Sequence, residues 1–139
     1  MDNMRTKLST LWIFATVNYI YADVVGLIDT EMLKQYLTGN INGIEINQGF
    51  LLAASALVEI PMAMIVVSRL VDPRISRWAN VVAGALMTAV QVATLFIGVP
   101  APYYAFFSAV EIATTATIVW LAWSWAVTQP VARTAAEAL

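Results

Sequence analysis

The stretch that decides the fold is "FSAVEIATTATIVW", Phe107 to Trp120, in which one carboxylate, Glu111, sits among residues otherwise suited to oil. It belongs to a longer run from Ala101 to Val127. Three similar runs precede it: Leu8 to Ile28 with Asp23 inside, Gln48 to Ser68 with Glu59 inside, and Trp78 to Gly98 with no charge. Each meets the requirement of about 20 apolar residues for a helix crossing a hydrocarbon core about 30 Å thick. A lone strand cannot pair its backbone polar groups in lipid, so helices are the economical reading. Composition agrees, with 60% of the 139 residues hydrophobic and 12% charged, against about a quarter charged in soluble domains. Mean hydropathy is +0.75. The expected fold class is all-α: a polytopic membrane protein, one domain over 1–139, built as a four-transmembrane-helix bundle with a cytoplasmic tail at 128–139. A soluble bundle would need polar faces that these runs lack.

The cations set the expected orientation. Arg5 and Lys7 precede the first run, Arg69, Arg74 and Arg77 crowd the link between the second and third, and Arg133 follows the fourth. The first link has only Lys34 against Asp29, Glu31 and Glu45. By the positive-inside rule both termini and the basic link face the cytoplasm. Trp12, Trp78, Trp120, Trp123 and Trp125 fall at the cytoplasmic ends and Tyr36, Tyr103 and Tyr104 at the outer ones, as headgroup belts do. The first run is long and has no small-residue cleavage site, so it reads as an uncleaved span. Without cysteine or histidine, disulfides, thiol redox pairs and histidine- or thiolate-held metals are excluded. No metal and no cofactor is expected. A net charge of -2 with no basic surface gives nucleic acid nothing to hold.

Between the first two runs lies "DTEMLKQYLTGNINGIEINQG", Asp29 to Gly49. Asp29 or Thr30 can cap a short helix, Glu31 suits its first turn, and Gly39 can end it. Met32, Leu33, Tyr36 and Leu37 on one side make it an extracytoplasmic amphipathic helix. Asn40, Asn42 and Gly43 supply turn chemistry for a small hairpin. The segment is expected either to lid an outward cavity or simply to connect two spans.

The second and fourth runs resemble each other: "AASALVEIPMAMIVVS" from Ala53 aligns with "AFFSAVEIATTATIVW" from Ala105, matching Glu59 to Glu111 at equal depth. A parallel repeat of two plus two spans would follow. A charged group near the midplane costs at least about 2.5 kcal/mol, so both glutamates are expected to face the bundle interior. No lysine or arginine lies at their level to compensate, and at neutral pH at least one is expected to keep its proton. Helical spacing offers four inward stripes: Trp12, Thr16, Tyr19 and Asp23; Ser55, Glu59 and Met62; Asn80, Gly84, Met87 and Gln91; Tyr104, Ser108, Glu111 and Thr115. Asn18 and Tyr19 share the glutamates' depth, with Asp23 and Gln91 nearer the outer surface. Pro61 frees a backbone carbonyl one turn from Glu59.

Three functions fit. In the first, Glu59 and Glu111 are catalytic, one donating and one accepting a proton, on a lipophilic small molecule held by Asn18, Tyr19, Ser108 and Thr115 and admitted past Asp23 and Gln91. Isomerisation, cyclisation or ring-opening hydrolysis would suit such a site. In the second, the same carboxyls serve a proton- or cation-coupled carrier, which four spans could build only as a homodimer. In the third, the polar groups glue a structural or partner-subunit bundle in the lipid bilayer at about 0.6 to 2 kcal/mol per bond.

"LSTLWIFATVNYIYADVVGLID", "VEIPMAM", "RWANVVAG" and "FFSAVEIATTATIVWLAW" resemble an uncharacterised bacterial family of small four-span membrane proteins, DoxX-like in general plan. The similarity runs from Leu8 to Trp125. It implies the bacterial cytoplasmic (inner) membrane and supplies no catalytic residues. The segment "VTQPVARTAAEAL" falls outside it, with Pro130 expected to stop the last helix.

Overall fold

Helix boundaries fall where the sequence supplies caps. The computed structural model describes residues 3–127; the expected tail at 128–139, with Pro130 and Arg133, lies outside them. Its elements are α1 (Asn3–Ile28), α2 (Thr30–Thr38), β1 (Asn40–Ile41), β2 (Ile44–Glu45), α3 (Gln48–Leu70), α4 (Pro73–Thr94) and α5 (Pro102–Ser124). Asn47 caps α3, its Oδ1 accepting from the Phe50 amide at 2.8 Å. Asp72 does the same for α4 through the Arg74 amide at 3.0 Å, with Pro73 in the first turn where its missing N–H is harmless.

α1, α3 and α5 are long and apolar enough to cross a membrane. α4, at 22 residues, is long enough but falls short by composition, because it carries Arg74, Ser76, Arg77, Asn80 and Gln91. The third run, expected uncharged over Trp78 to Gly98, is instead a helix over Pro73–Thr94 that takes in two arginines. The Asp72-Pro73 cap starts the helix before both arginines, and the chain leaves it after Thr94 and turns at Gly98, whose φ is 71°.

The four long helices form a ring in which α1 and α4 each pack against both α3 and α5, leaving α3 and α5 diagonal. Leu8, Trp12, Ala15, Met64, Met87 and Ile118 belong to the buried core. At Gly84 α4 packs tightly on α5: a Cβ there would lie 2.8 Å from Val119 Cγ2 and 3.3 Å from the Thr115 carbonyl oxygen. Within this ring Trp12 Nε1 donates to Asn80 Oδ1 at 2.7 Å, and Ser68 Oγ donates to the same oxygen at 3.2 Å, tying α1, α3 and α4 together.

One end of the ring is basic. Arg5 donates to the carbonyls of Arg69 and Val71 where α3 ends, each at 3.0 Å, and Arg77 donates to those of Ala122 and Trp123 where α5 ends, at 3.1 and 2.8 Å. Cations placed there meet the unpaired carbonyls and the negative helix pole. The other end carries α2, capped by Asp29 and ended by Gly39 in the left-handed region (φ 73°). A two-stranded antiparallel hairpin follows, pairing Asn40 with Glu45 and Ile41 with Ile44. Asn42 and Gly43 both have positive φ, 49° and 88°, as a two-residue hairpin turn requires.

Three of the four expected stripes face inward for most of their length, the exception on α1 being Asp23, which is exposed. Trp12 and Thr16 on α1, the whole α4 stripe, and Ser108, Glu111 and Thr115 on α5 are buried. The α3 stripe is not: Ser55, Glu59 and Met62 are all exposed. α3 instead turns inward a seam of Phe50, Ala54, Leu57, Pro61, Met64 and Ser68, at steps of four and three. Glu59, two residues from Leu57, stands about 200° around the helix from it.

Candidate functional site

The interior carboxyl belongs to α5. Glu111 is 2% exposed, and its Oε1 accepts from Asn18 Nδ2 of α1 at 3.1 Å. The same amide nitrogen reaches the Phe107 carbonyl at 3.3 Å, which fixes its orientation between the two helices. One residue on, the Tyr19 hydroxyl is buried and, among the described residues, is the sole buried side-chain polar atom with no hydrogen-bond partner. Such atoms are rare because leaving a buried donor unpaired costs about 1 to 3 kcal/mol. No second hydrogen bond reaches the Glu111 carboxyl from the described residues. The site thus holds a carboxyl with spare capacity and a hydroxyl with none of its capacity used.

Around it the polar groups pair off. Thr115 Oγ1 donates to the Glu111 backbone carbonyl at 3.0 Å and lies 2.7 Å from Thr88 Oγ1 of α4, so it braces the helix turn that carries the carboxyl. Gln91 Nε2 donates to Ser108 Oγ at 2.7 Å. Both residues are buried and satisfied by each other, which removes Gln91 from the entrance where it was expected and leaves Ser108 as a helix tie. The expected Glu59–Glu111 pair is corrected as well. Glu59 points out of the ring on α3 and accepts no hydrogen bond from the described residues, whereas Glu111 points in on the diagonal helix. The two glutamates face opposite ways.

Under α2 and the hairpin lies a cavity of about 330 Å³, which borders the ends of α1 and α4 and the starts of α3 and α5. Asp23, Tyr36, Asn42, Phe50, Thr94 and Tyr104 are among its lining residues. Tyr104 donates its hydroxyl to Thr94 Oγ1 at 2.8 Å. The Tyr36 hydroxyl is held above the usual tyrosine range, first by burial and then by the nearby Asp23 and Tyr104 oxygens. Asp23 lies one helical turn beyond Tyr19, and Tyr104 seven residues before Glu111, about 10 Å along α5. The two helices that hold the inner cluster also wall the cavity. Tyr36, Asn42, Phe50 and Thr94 were not expected as site residues. Tyr36 had a signal, its place on the apolar side of the loop helix, but only the folded-back hairpin shows what that side covers.

The model of a family of unknown function, DUF6326, matches residues 1–132. The chain belongs to this family. The match passes Trp125, where the similarity was expected to stop, so the family includes part of the segment after α5. A search of curated proteins and of solved structures finds no match for the DUF6326 chain.

Proposed function

We propose that this DUF6326 protein is a four-span integral membrane protein, DoxX-like in plan and with both termini cytoplasmic, that takes a lipophilic small molecule through the lidded cavity and performs acid/base chemistry on it at Glu111. The observation that carries this reading is the buried, unpartnered Tyr19 hydroxyl beside a buried carboxyl that keeps an oxygen free. One carboxyl suffices for an isomerisation. Glu111 takes a proton from one carbon of the ligand, Tyr19 donates a hydrogen bond to the ligand oxygen where charge develops, and Glu111 returns the proton to another carbon. Atoms and charge balance without a second acid or a cofactor. Asn18 fixes the carboxyl, and Thr115 braces its helix turn.

The test is extraction of small molecules that co-purify with the full chain, their identification by mass spectrometry, and incubation with the wild type and Glu111→Gln. Support would be an apolar molecule retained by both proteins and rearranged only by the wild type. Retention of nothing, or equal turnover by the variant, would refute it.

A second reading, the proton-coupled carrier assembled as a homodimer, draws on the outward face of α3. Leu52, Ala56, Glu59, Ala63, Val66 and Leu70 are all exposed and spaced by four and three, the repeat of a left-handed helix pair. Two alanines flank Glu59 and permit close approach. A twofold axis along the membrane normal sets equal depths against each other, so Glu59 would meet its own copy and share a proton instead of facing lipid. The chain has no cysteine, so Ala56→Cys and Ala63→Cys introduce the sole thiols. Disulfide-linked dimers from both, and none from the inward Ala54→Cys, support this dimer; equal yields at all three positions reject it.

A further inference from the structure

We propose that the cavity under α2 and the hairpin recognises a lipophilic organic ammonium ion, with Asp23 as its counter-ion and the rings of Tyr36, Tyr104 and Phe50 as its cation–π walls. This deepens the reading above and rests on it in one respect, that the cavity receives a small molecule. At about 330 Å³ the space suits a ligand at the small end of the usual range.

Charge decides the class of ligand. Asp23 is the one carboxylate among the lining residues, and no lysine or arginine lines the space. Among the described residues Asp23 makes no ion pair and accepts no hydrogen bond, and the single salt bridge, Lys34 to Glu31 at 3.0 Å, lies on the exposed face of α2. An anionic ligand would meet only repulsion. Asp23 is exposed, and a neutral apolar ligand against it would displace part of its water and return no partner. A cation supplies the missing partner.

The aromatic rings favour an ammonium on a carbon frame over a metal ion. The Tyr104 hydroxyl is already used by Thr94, so what it offers the cavity is its ring. Tyr36, held above the usual tyrosine range first by burial and then by the Asp23 and Tyr104 oxygens, also presents a neutral ring. A cation over such faces gains about 0.5 to 2 kcal/mol, most where water is excluded. The remaining wall is aliphatic, with Ile41, Ile97, Val99 and Pro100 available to the ligand's apolar body. An inorganic cation would find one carboxylate and few further oxygens, too poor a set for calcium or magnesium.

The experiment titrates the full-length protein in detergent, by calorimetry, with benzyltrimethylammonium and with neopentylbenzene, which has the same shape and no charge. The expected result is at least tenfold tighter binding of the cation, with that preference lost in Asp23→Asn and reduced in Tyr36→Leu, while both variants keep the wild-type thermal midpoint. Two results would overturn the proposal: equal affinity for the two probes, or an Asp23→Asn protein that still prefers the cation. If both probes bind equally and Ala101→Trp, which fills the cavity, abolishes both, the ammonium assignment fails and the small-molecule site stands. If neither probe binds, both readings fall.

Discussion

The same three residues, Val-Glu-Ile, occur on α3 and on α5, and they end in opposite environments. Glu111 is sealed between α5 and α1 with Asn18 on one oxygen, while Glu59 looks out from the least covered of the three candidate spans. The difference lies in what each helix offers its neighbours on the opposite side. α5 has serine, threonine and glutamate at one angular position, Ser108, Glu111 and Thr115, and each finds a partner on α1, on α4 or along its own turn. α3 has its best packing residues, Pro61, Met64 and Ser68, on the face away from Glu59, and Ser68 locks that face inward through Asn80. A helix cannot bury both faces in a ring of four. The one with more contacts and satisfied bonds wins.

The sharpest way to break this contrast is to remove each carboxyl. Glu111→Gln should lower turnover of the identified ligand by about a hundredfold or more, the scale of a lost general acid–base group. Comparable loss on Glu59→Gln would restore the two-carboxyl mechanism that the facing of α3 argues against.

Next comes Tyr19→Phe. Its hydroxyl has no partner in the fold, so deletion should leave the thermal midpoint unchanged or slightly raised while turnover drops about tenfold. A destabilised variant with normal turnover would make Tyr19 a structural residue.

Packing gives a smaller contrast. Gly84→Ala puts a methyl 2.8 Å from Val119 Cγ2 and should destabilise by about 1 to 3 kcal/mol in a detergent unfolding titration, whereas Ala63→Leu on the outer face of α3 should change the monomer by under about 0.5 kcal/mol. Equal effects would mean that α3 is as tightly covered as α5.

The smallest expected effect is that of Glu59→Gln on the isolated monomer: no change in thermal midpoint and none in turnover. A drop confined to concentrations where copies associate would instead assign Glu59 to the interface between them.

Much of the fold was legible. Asp29 and Gly39 were legible as the ends of the loop helix because capping is local chemistry, whereas the Asn47 and Asp72-Pro73 starts of α3 and α4 were not read from the sequence. Stripes on α4 and α5 and the Trp12–Thr16 part of that on α1 were legible because their polar residues find partners inside. On α3 the same rule failed, since polarity and packing point to opposite faces and the sequence does not rank them. The inner site was half legible. Asn18 bonds the Glu111 carboxyl and Tyr19 follows it on α1 with its hydroxyl unpartnered, but Glu59 is absent from the cluster and Gln91 is tied to Ser108.

The cavity was the least legible feature, because α1, α2, the hairpin, α3, α4 and α5 are brought around one space by segments far apart in the chain. The sequence by itself determined that these helices exist, roughly where they lie, and that acids sit within apolar runs. Those properties depend on neighbours within a turn or two. Only the tertiary structure decided which acid is enclosed and what it meets, because enclosure depends on the rotation of each helix, and rotation is set by the summed contacts of all its faces at once.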